Sequence, residues 1–299
     1  MYQCGACESA YLDPRPDKDS ISLAYERYFT HSEYRDYSAL SLFLKVQRSL
    51  KNGYRNHHYG TRLYPANRVG VLIVKFLPKT RLRLDAGMRD LPRSGKKGRL
   101  LDIGCGNGEF LLQASSAGWD VVGVDFDAKA VETARTLDLD IRHGGVEIID
   151  STADQFDIIT MAHVIEHLHD PVEALRACLK LLKPGGSLWI DTPNISSDGH
   201  RIYGAHWRGL EPPRHLVLFT VESLRDSLLN VGFVEVRGQP YRPICDGTFR
   251  ESEAIRSGLD PNRPLAKNVP LRLISKAEKN ARENPGRREF VTLKAIAPS

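Results

Sequence analysis

Leu100-Leu-Asp-Ile-Gly104-Cys-Gly106-Asn-Gly108-Glu-Phe110 decides the fold. A short apolar run meets three glycines at alternate positions. Apolar residues then recur at helical spacing through Phe110, Leu111, Ala114 and Ala117, and Gly118 stops them. This pattern predicts a buried strand, a tight glycine turn and a helix whose free N–H groups face the turn.

The same alternation continues outward. Asp120–Asp125 has the pattern of a second strand, and Asp127 is placed to N-cap a helix with Ala130, Val131, Ala134 and Leu137 on its apolar face. Asp140–His143 and Phe156–Met161 follow as strands. Asp170-Pro171 starts a helix that Lys183-Pro-Gly-Gly186 is expected to end, and Ser187–Asp191 is a fifth strand. Thr220 caps Val221–Asn230, Gly232–Val236 is a sixth strand, and Arg288–Ile296 a seventh. Strands alternating with helices specify a mostly parallel sheet covered on both faces. The closing pair has no predicted helix directly between its strands, which implies one antiparallel edge strand. The expected class is therefore α/β: a Rossmann-like, seven-stranded, mostly parallel sheet with one antiparallel edge strand.

Two regions fall outside the alternation. Residues 1–97 are expected to be mostly helical, with Leu40, Leu42, Phe43, Val46 and Leu50 as an apolar face. Residues 239–286 are rich in proline and basic residues and are expected to be a substrate-covering cap insertion. The domain then comprises 98–238 and 287–299.

With 41% hydrophobic and 26% charged residues, the 299-residue chain is neither disordered nor fibrous. No apolar run approaches the ~18 residues of a membrane span, and the N-terminus lacks a secretory apolar core. A cytoplasmic protein without structural disulfides is expected, since the five cysteines show no framework spacing. The net charge of +5 is uneven: Lys75–Arg99 carries an excess of +7 and Arg263–Arg288 of +6, leaving −8 elsewhere. Such segments are usually solvated surface, or else a positive rim that attracts an anionic substrate.

The glycine turn and Asp125, 21 residues after Gly104, suit a nucleoside whose ribose hydroxyls donate to the acid. Nicotinamide dinucleotides and S-adenosylmethionine are both bound in this way. The third glycine comes one residue too early for G-x-G-x-x-G, and Glu109 would meet a pyrophosphate with like charge. Asp102 is better matched to a cationic ligand, which favours S-adenosylmethionine. An NAD-linked oxidoreductase stays as the alternative, as does a methyltransferase-like binding protein without activity.

Leu-Leu-Asp-Ile-Gly-Cys-Gly-Asn-Gly-Glu-Phe, Val-Gly-Val-Asp, Phe-Asp-Ile-Ile, His-Val-Ile-Glu-His-Leu-His-Asp-Pro and Leu-Lys-Pro-Gly-Gly occur in this order. Together they resemble the class I S-adenosylmethionine-dependent methyltransferases, in the subgroup of ubiquinone-biosynthesis O-methyltransferases and sugar or polysaccharide-cluster methyltransferases. The resemblance covers Arg99 to about Val236. It implies S-adenosylmethionine as cofactor and S-adenosylhomocysteine as product. Gly104, Cys105, Gly106, Gly108 and Met161 would line the cofactor, Asp125 would hold the ribose and Phe126 would flank the adenine. Asp102 would lie near the methionine amino group, and His163 would face the methyl group.

His163-Val-Ile-Glu166-His167 also matches H-x-x-E-H, a zinc-protease pattern. That motif needs one long helix to put both histidines on one face, whereas here an apolar strand ends at Met161 and a new helix starts at Asp170. A protease is disfavoured on that ground. Glu166 and His167 could be buried structural groups. With His163, and His215 from Trp207-Arg-Gly-Leu-Glu-Pro-Pro-Arg-His215, they could also hold a divalent metal, which is not the favoured reading. For a hydroxyl acceptor, His163 is the first candidate base and His215 the second, with Arg214 a contact for an anionic substrate. Cys4-Gly-Ala-Cys7 is half of a zinc ribbon, and Tyr25 and Tyr28 could reach the cofactor. The expected function is O-methylation of a small molecule, with nucleic acid disfavoured as a partner and the acceptor set by 1–97, 193–219 and 239–286.

Overall fold

The structure is a computed structural model that describes residues 1–17, 20–25, 41–92, 98–262 and 269–299. The elements, in chain order, are β1 (Tyr2–Gln3), β2 (Ala10–Tyr11), α1 (Leu42–Tyr59), α2 (Val69–Lys75), α3 (Pro78–Gly87), β3 (Arg99–Ile103) and α4 (Glu109–Ser116). They continue through β4 (Asp120–Asp125), α5 (Ala128–Arg135), β5 (Asp140–His143), β6 (Phe156–Ala162), α6 (Pro171–Leu181) and β7 (Leu182–Pro193). The chain closes with α7 (Asp198–Tyr203), β8 (Val217–Leu218), α8 (Val221–Val231), β9 (Glu235–Gly238), α9 (Cys245–Arg256), α10 (Leu271–Glu283) and β10 (Phe290–Ile296).

Seven strands form the main sheet in the order β5-β4-β3-β6-β7-β10-β9. β3, β4 and β5 run parallel in register, with Ile103 opposite Val124 and Val124 opposite Arg142. β10 runs antiparallel to β9, with Ala295 opposite Val236, as the closing pair implied. The caps are those the local sequence dictates. Asp127 accepts from the N–H groups of Lys129 and Ala130 at the start of α5. Thr220 and Ser223 form a reciprocal capping box on α8, which Gly232 ends in the left-handed conformation.

The chain divides into two compact units. One comprises 30–160 and 180–189. Its core joins Leu100, Leu111, Val121, Val131 and Ile141, which are the inward faces of β3, α4, β4, α5 and β5. The other comprises 1–29, 161–179 and 190–299. It buries Trp207, Phe249, Leu224, Leu228, Val291 and Leu293.

Three local expectations change. The N-terminal region is not helical throughout, because β1 and β2 form a hairpin whose second strand pairs with β8, Ala10 opposite Leu218. On α1, Leu42, Phe43 and Val46 are exposed, and burial falls on Asn52, Gly53 and Tyr54. The reason is close backbone approach: a Cβ at Gly53 would lie 1.9 Å from the Asn67 carbonyl oxygen, and one at Gly70 equally close to that of Leu50. Leu40 lies outside the described residues, as does Tyr28. Finally, Lys183-Pro-Gly-Gly186 lies inside β7, where Lys183 binds the Asp157 carboxylate at 2.7 Å. Among the described residues no helix is long and apolar enough to cross a membrane.

Candidate active site

The glycine turn lies in the first unit, at the carboxyl ends of the adjacent parallel strands β3 and β4. Gly104, Gly106 and Gly108 all have positive φ, at 70°, 53° and 78°. The Gly104 and Cys105 N–H groups donate to the Val124 carbonyl at 2.8 and 3.1 Å, folding the turn back onto β4. A Cβ at Gly106 would meet no atom within 4 Å, so the turn is open to a ligand there. At Gly108 a Cβ would press on Ala134 and Leu137 at 3.2 Å, so that glycine serves helix packing.

Asp125 is half-buried at the end of β4. Its Oδ2 accepts from the Gly106 N–H at 2.7 Å and its Oδ1 from the Asp127 N–H at 2.9 Å. Each oxygen keeps a second lone pair, so the carboxylate can still accept from two ligand hydroxyls. Burial nonetheless raises its pKa above the usual carboxylate range. Phe126 is 58% exposed, and a Cβ at Gly145 would lie 2.3 Å from its ring, so the ring covers that glycine. The open turn, the diol-accepting carboxylate and the exposed aromatic ring fit an adenosine group. Cys105 differs, because its side chain is buried against Gly123 and burial pushes its thiol up. Any part it takes in binding falls to its backbone.

Asp102 departs from expectation. It is fully buried, and its Oδ1 is paired with the Arg89 guanidinium and accepts from Thr160 Oγ1 at 2.7 Å. The cation that Asp102 was expected to meet in a ligand is supplied by Arg89. Its other oxygen, Oδ2, is buried without a hydrogen-bond partner. Arg89 has a left-handed backbone (φ 48°) and lies 3.9 Å above the Phe110 ring. Sequence reasoning missed it, because Arg89 sits in a basic run that has the composition of solvated surface.

The histidine cluster belongs to the other unit. Met161 is fully buried at the end of β6, leaving only its backbone to a ligand. His163 follows with φ at 56°, an uncommon conformation for a non-glycine residue, and its N–H donates to the Asp191 carbonyl at 2.8 Å. A single 3₁₀ turn, Ile165–His167, replaces the long helix that a zinc protease needs. The His163 side chain is 43% exposed. Its Nδ1 lies 3.4 Å from Glu166 Oε1 and its Nε2 3.3 Å from Asp191 Oδ2. Phe290 meets the ring edge-to-face at 4.6 Å. Asp191 is buried and also accepts from Arg242 Nη2 at 2.6 Å and Thr292 Oγ1 at 2.5 Å, which hold its pKa well below the ordinary range. Glu166 accepts from Thr192 Oγ1 at 2.9 Å. Against its partial desolvation, the two carboxylates raise the His163 pKa to about 9.

His215 is not placed as a base. It is 4% exposed, and its Nδ1 contacts the Gly209 carbonyl at 2.7 Å while its Nε2 lies 3.2 Å from Glu211. Arg214 is also engaged, with Glu211 at 2.5 Å and the Ala24 carbonyl at 3.2 Å. His167 Nδ1 contacts the Arg214 carbonyl at 3.0 Å, and burial lowers its pKa, which favours the neutral imidazole. Glu166, His167 and His215 present ligand atoms within 4.8 Å of one another and could hold a divalent ion, in a set that omits His163.

Residues 76–237 match the profile of a family described as "Methyltransferase domain", which is more than half of the chain. The chain belongs to this family. S-adenosylmethionine is the family's cofactor, in keeping with the turn and Asp125. Similar proteins include ubiquinone biosynthesis O-methyltransferases. That of Roseobacter denitrificans is 40% identical over 172 residues, 52% of this chain and 69% of the relative. That of Cereibacter sphaeroides is 34% identical over 160 residues, 49% of this chain and 65% of the relative. That of Bordetella avium is 32% identical over 180 residues, 54% and 73%. The chain thus spans about two thirds of the length of these relatives.

Proposed function

We propose that this protein is a cytoplasmic S-adenosylmethionine-dependent O-methyltransferase acting on the hydroxyl of a small, anionic molecule. The observation that carries the reading is the pairing of the open turn at Gly106 with the Asp125 carboxylate. The names of its relatives support the O-methyl outcome. When bound, S-adenosylmethionine supplies an electrophilic methyl group on a sulfonium.

Asp125 holds the ribose hydroxyls, the turn from Gly104 to Gly108 lets the backbone approach, and Phe126 flanks the base. Arg89 neutralises Asp102 and keeps the floor of the turn rigid. His163 accepts the proton of the acceptor hydroxyl, and Asp191 and Glu166 orient its ring and stabilise its charged form. With a pKa of about 9, His163 is mostly protonated at neutral pH and becomes a strong base only in alkaline solution. The rate therefore rises with pH up to that value. Asp191 in turn is fixed by Arg242 and Thr292.

Calorimetric titration with S-adenosylhomocysteine, with NADH as the comparison ligand, tests the reading. Binding of the former alone is expected. Binding of NADH instead would replace it with the oxidoreductase reading, and binding of neither would favour a binding protein without activity.

A further inference from the structure

Helices α1 and α2 pack with their backbones in close approach. Gly53 meets the Asn67 carbonyl, and Gly70 meets that of Leu50. Going forward along the chain from 67 to 70 therefore goes back along α1 from 53 to 50. The two helices are antiparallel, and the first turns of α1 lie beside the end of α2. Apolar residues are concentrated at this end, and they face outward. On α2, Val69, Leu72, Ile73 and Phe76 recur at the spacing of one helical face, and all four are exposed, Phe76 by 73%. Gly70 and Val74, which point away from this face, are the buried residues of the helix. On α1, Leu42, Phe43 and Val46 are exposed as well, Phe43 by 69%. A helix in water ordinarily turns such a face inward, and contiguous exposed apolar side chains mark an interaction site.

Charge decides what can cover this end. Residues 41–84 hold ten Lys and Arg residues and no Asp or Glu. Lys45 is exposed on α1, Lys75 on α2, and Lys79, Arg81 and Arg83 on α3. A second copy of the chain would set this basic hairpin against itself, and the like charges oppose that. Nucleic acid would match the charge, but it presents mainly phosphate and sugar to the apolar side chains. An anionic lipid surface satisfies both features. Its acyl boundary takes the apolar side chains, and its headgroups take the lysines, whose long stems reach back to the polar layer. With seven residues, α2 can lie on such a surface but cannot cross it.

We propose that this end of the α1–α2 hairpin docks on an anionic membrane surface. Phe43, Leu72 and Phe76 enter the headgroup layer, and Lys45, Lys75 and Lys79 meet the lipid phosphates. The inference does not depend on the methyltransferase reading.

The test is co-sedimentation of the full chain with vesicles of phosphatidylcholine alone, and of equal parts phosphatidylcholine and phosphatidylglycerol. Binding to the mixed vesicles is expected to be at least tenfold tighter than to phosphatidylcholine, and to weaken at high salt. Leu72→Ser with Phe76→Ser should weaken it at least tenfold, as should Lys75→Glu with Lys79→Glu. All four side chains are exposed, so these variants should unfold in urea at the wild-type midpoint. In Phe76→Trp, the emission should shift to the blue on the mixed vesicles only. No binding to the mixed vesicles overturns the proposal. So does binding that the lysine changes abolish and the serine changes leave intact, since that is adsorption by charge alone. A dimer in light scattering that the serine changes disperse would assign the face to a second copy. Retention of a short DNA duplex without vesicle binding would assign it to nucleic acid.

Discussion

Glu166→Gln tests whether the two carboxylates set the basicity of His163. The change keeps the shape of a fully buried side chain, and its amide oxygen can still accept from Thr192 Oγ1. It removes one of the two charges beside the imidazole while leaving Asp191, Arg242 and Thr292 in place. The pKa of His163 stands at about 9 against an ordinary 6.5. Two carboxylates at nearly equal distance share that rise, and solvent screens the 43% exposed ring. Loss of one should therefore lower the pKa by about one unit.

Two consequences oppose each other. At pH 7 the free-base fraction rises from about 1% to about 10%, while a Brønsted slope of about one half makes each free base about threefold less reactive. The net expectation is an increase of about threefold in turnover at pH 7, and a decrease of about threefold on the alkaline plateau. The assay is the initial rate of S-adenosylhomocysteine formation with any acceptor turned over, from pH 6 to 10.5. NMR titration of the His163 imidazole provides a readout that needs no acceptor. A rate that falls equally at every pH, or an imidazole pKa that does not move, would refute the reasoning and leave Glu166 a packing group.

Asp125→Ala should weaken S-adenosylhomocysteine at least tenfold by calorimetry, since hydrogen bonds to a charged acceptor contribute about 1.5–3 kcal/mol. Unchanged affinity would remove Asp125 from the site. Arg89→Met strands the buried Asp102 carboxylate and should lower stability by about 3–5 kcal/mol in urea unfolding, with Asp102→Asn restoring part of it. Burial raises the Glu289 pKa to about 7 from 4.5, so the fold binds its proton more tightly than the unfolded chain. The stability from this proton is complete below the unfolded value and is lost as pH rises through about 7. That loss is about 3 kcal/mol between pH 4.5 and 7, and it should be absent from the unfolding profile of Glu289→Gln.

Local chemistry made much of the fold legible. Asp127 and Thr220 cap the helices they precede because a cap needs only its own next three residues. The glycine turn was legible for the same reason, since its three positive φ angles exclude most other residues. The site was less so, because its partners are remote in sequence. Arg89 finds Asp102 across 13 residues by adopting a left-handed backbone that no residue pattern announces. His215 and Arg214 seemed free in sequence, yet both close on Glu211, an acid three and four residues before them. That spacing was a usable signal.

A second signal lay at Asp191. An acid at or near the end of a buried apolar strand, as Asp125 also is, is seldom an ordinary surface charge, and here it turns His163 from a free histidine into a clamped cation. The same pairing takes Arg214 out of the anion-binding role expected of it. Asp191 engages Arg242 and Glu211 engages Arg214. Pairing these carboxylates with their nearest cations therefore shows that Arg242 and Arg214 are committed to holding the fold rather than to meeting a ligand.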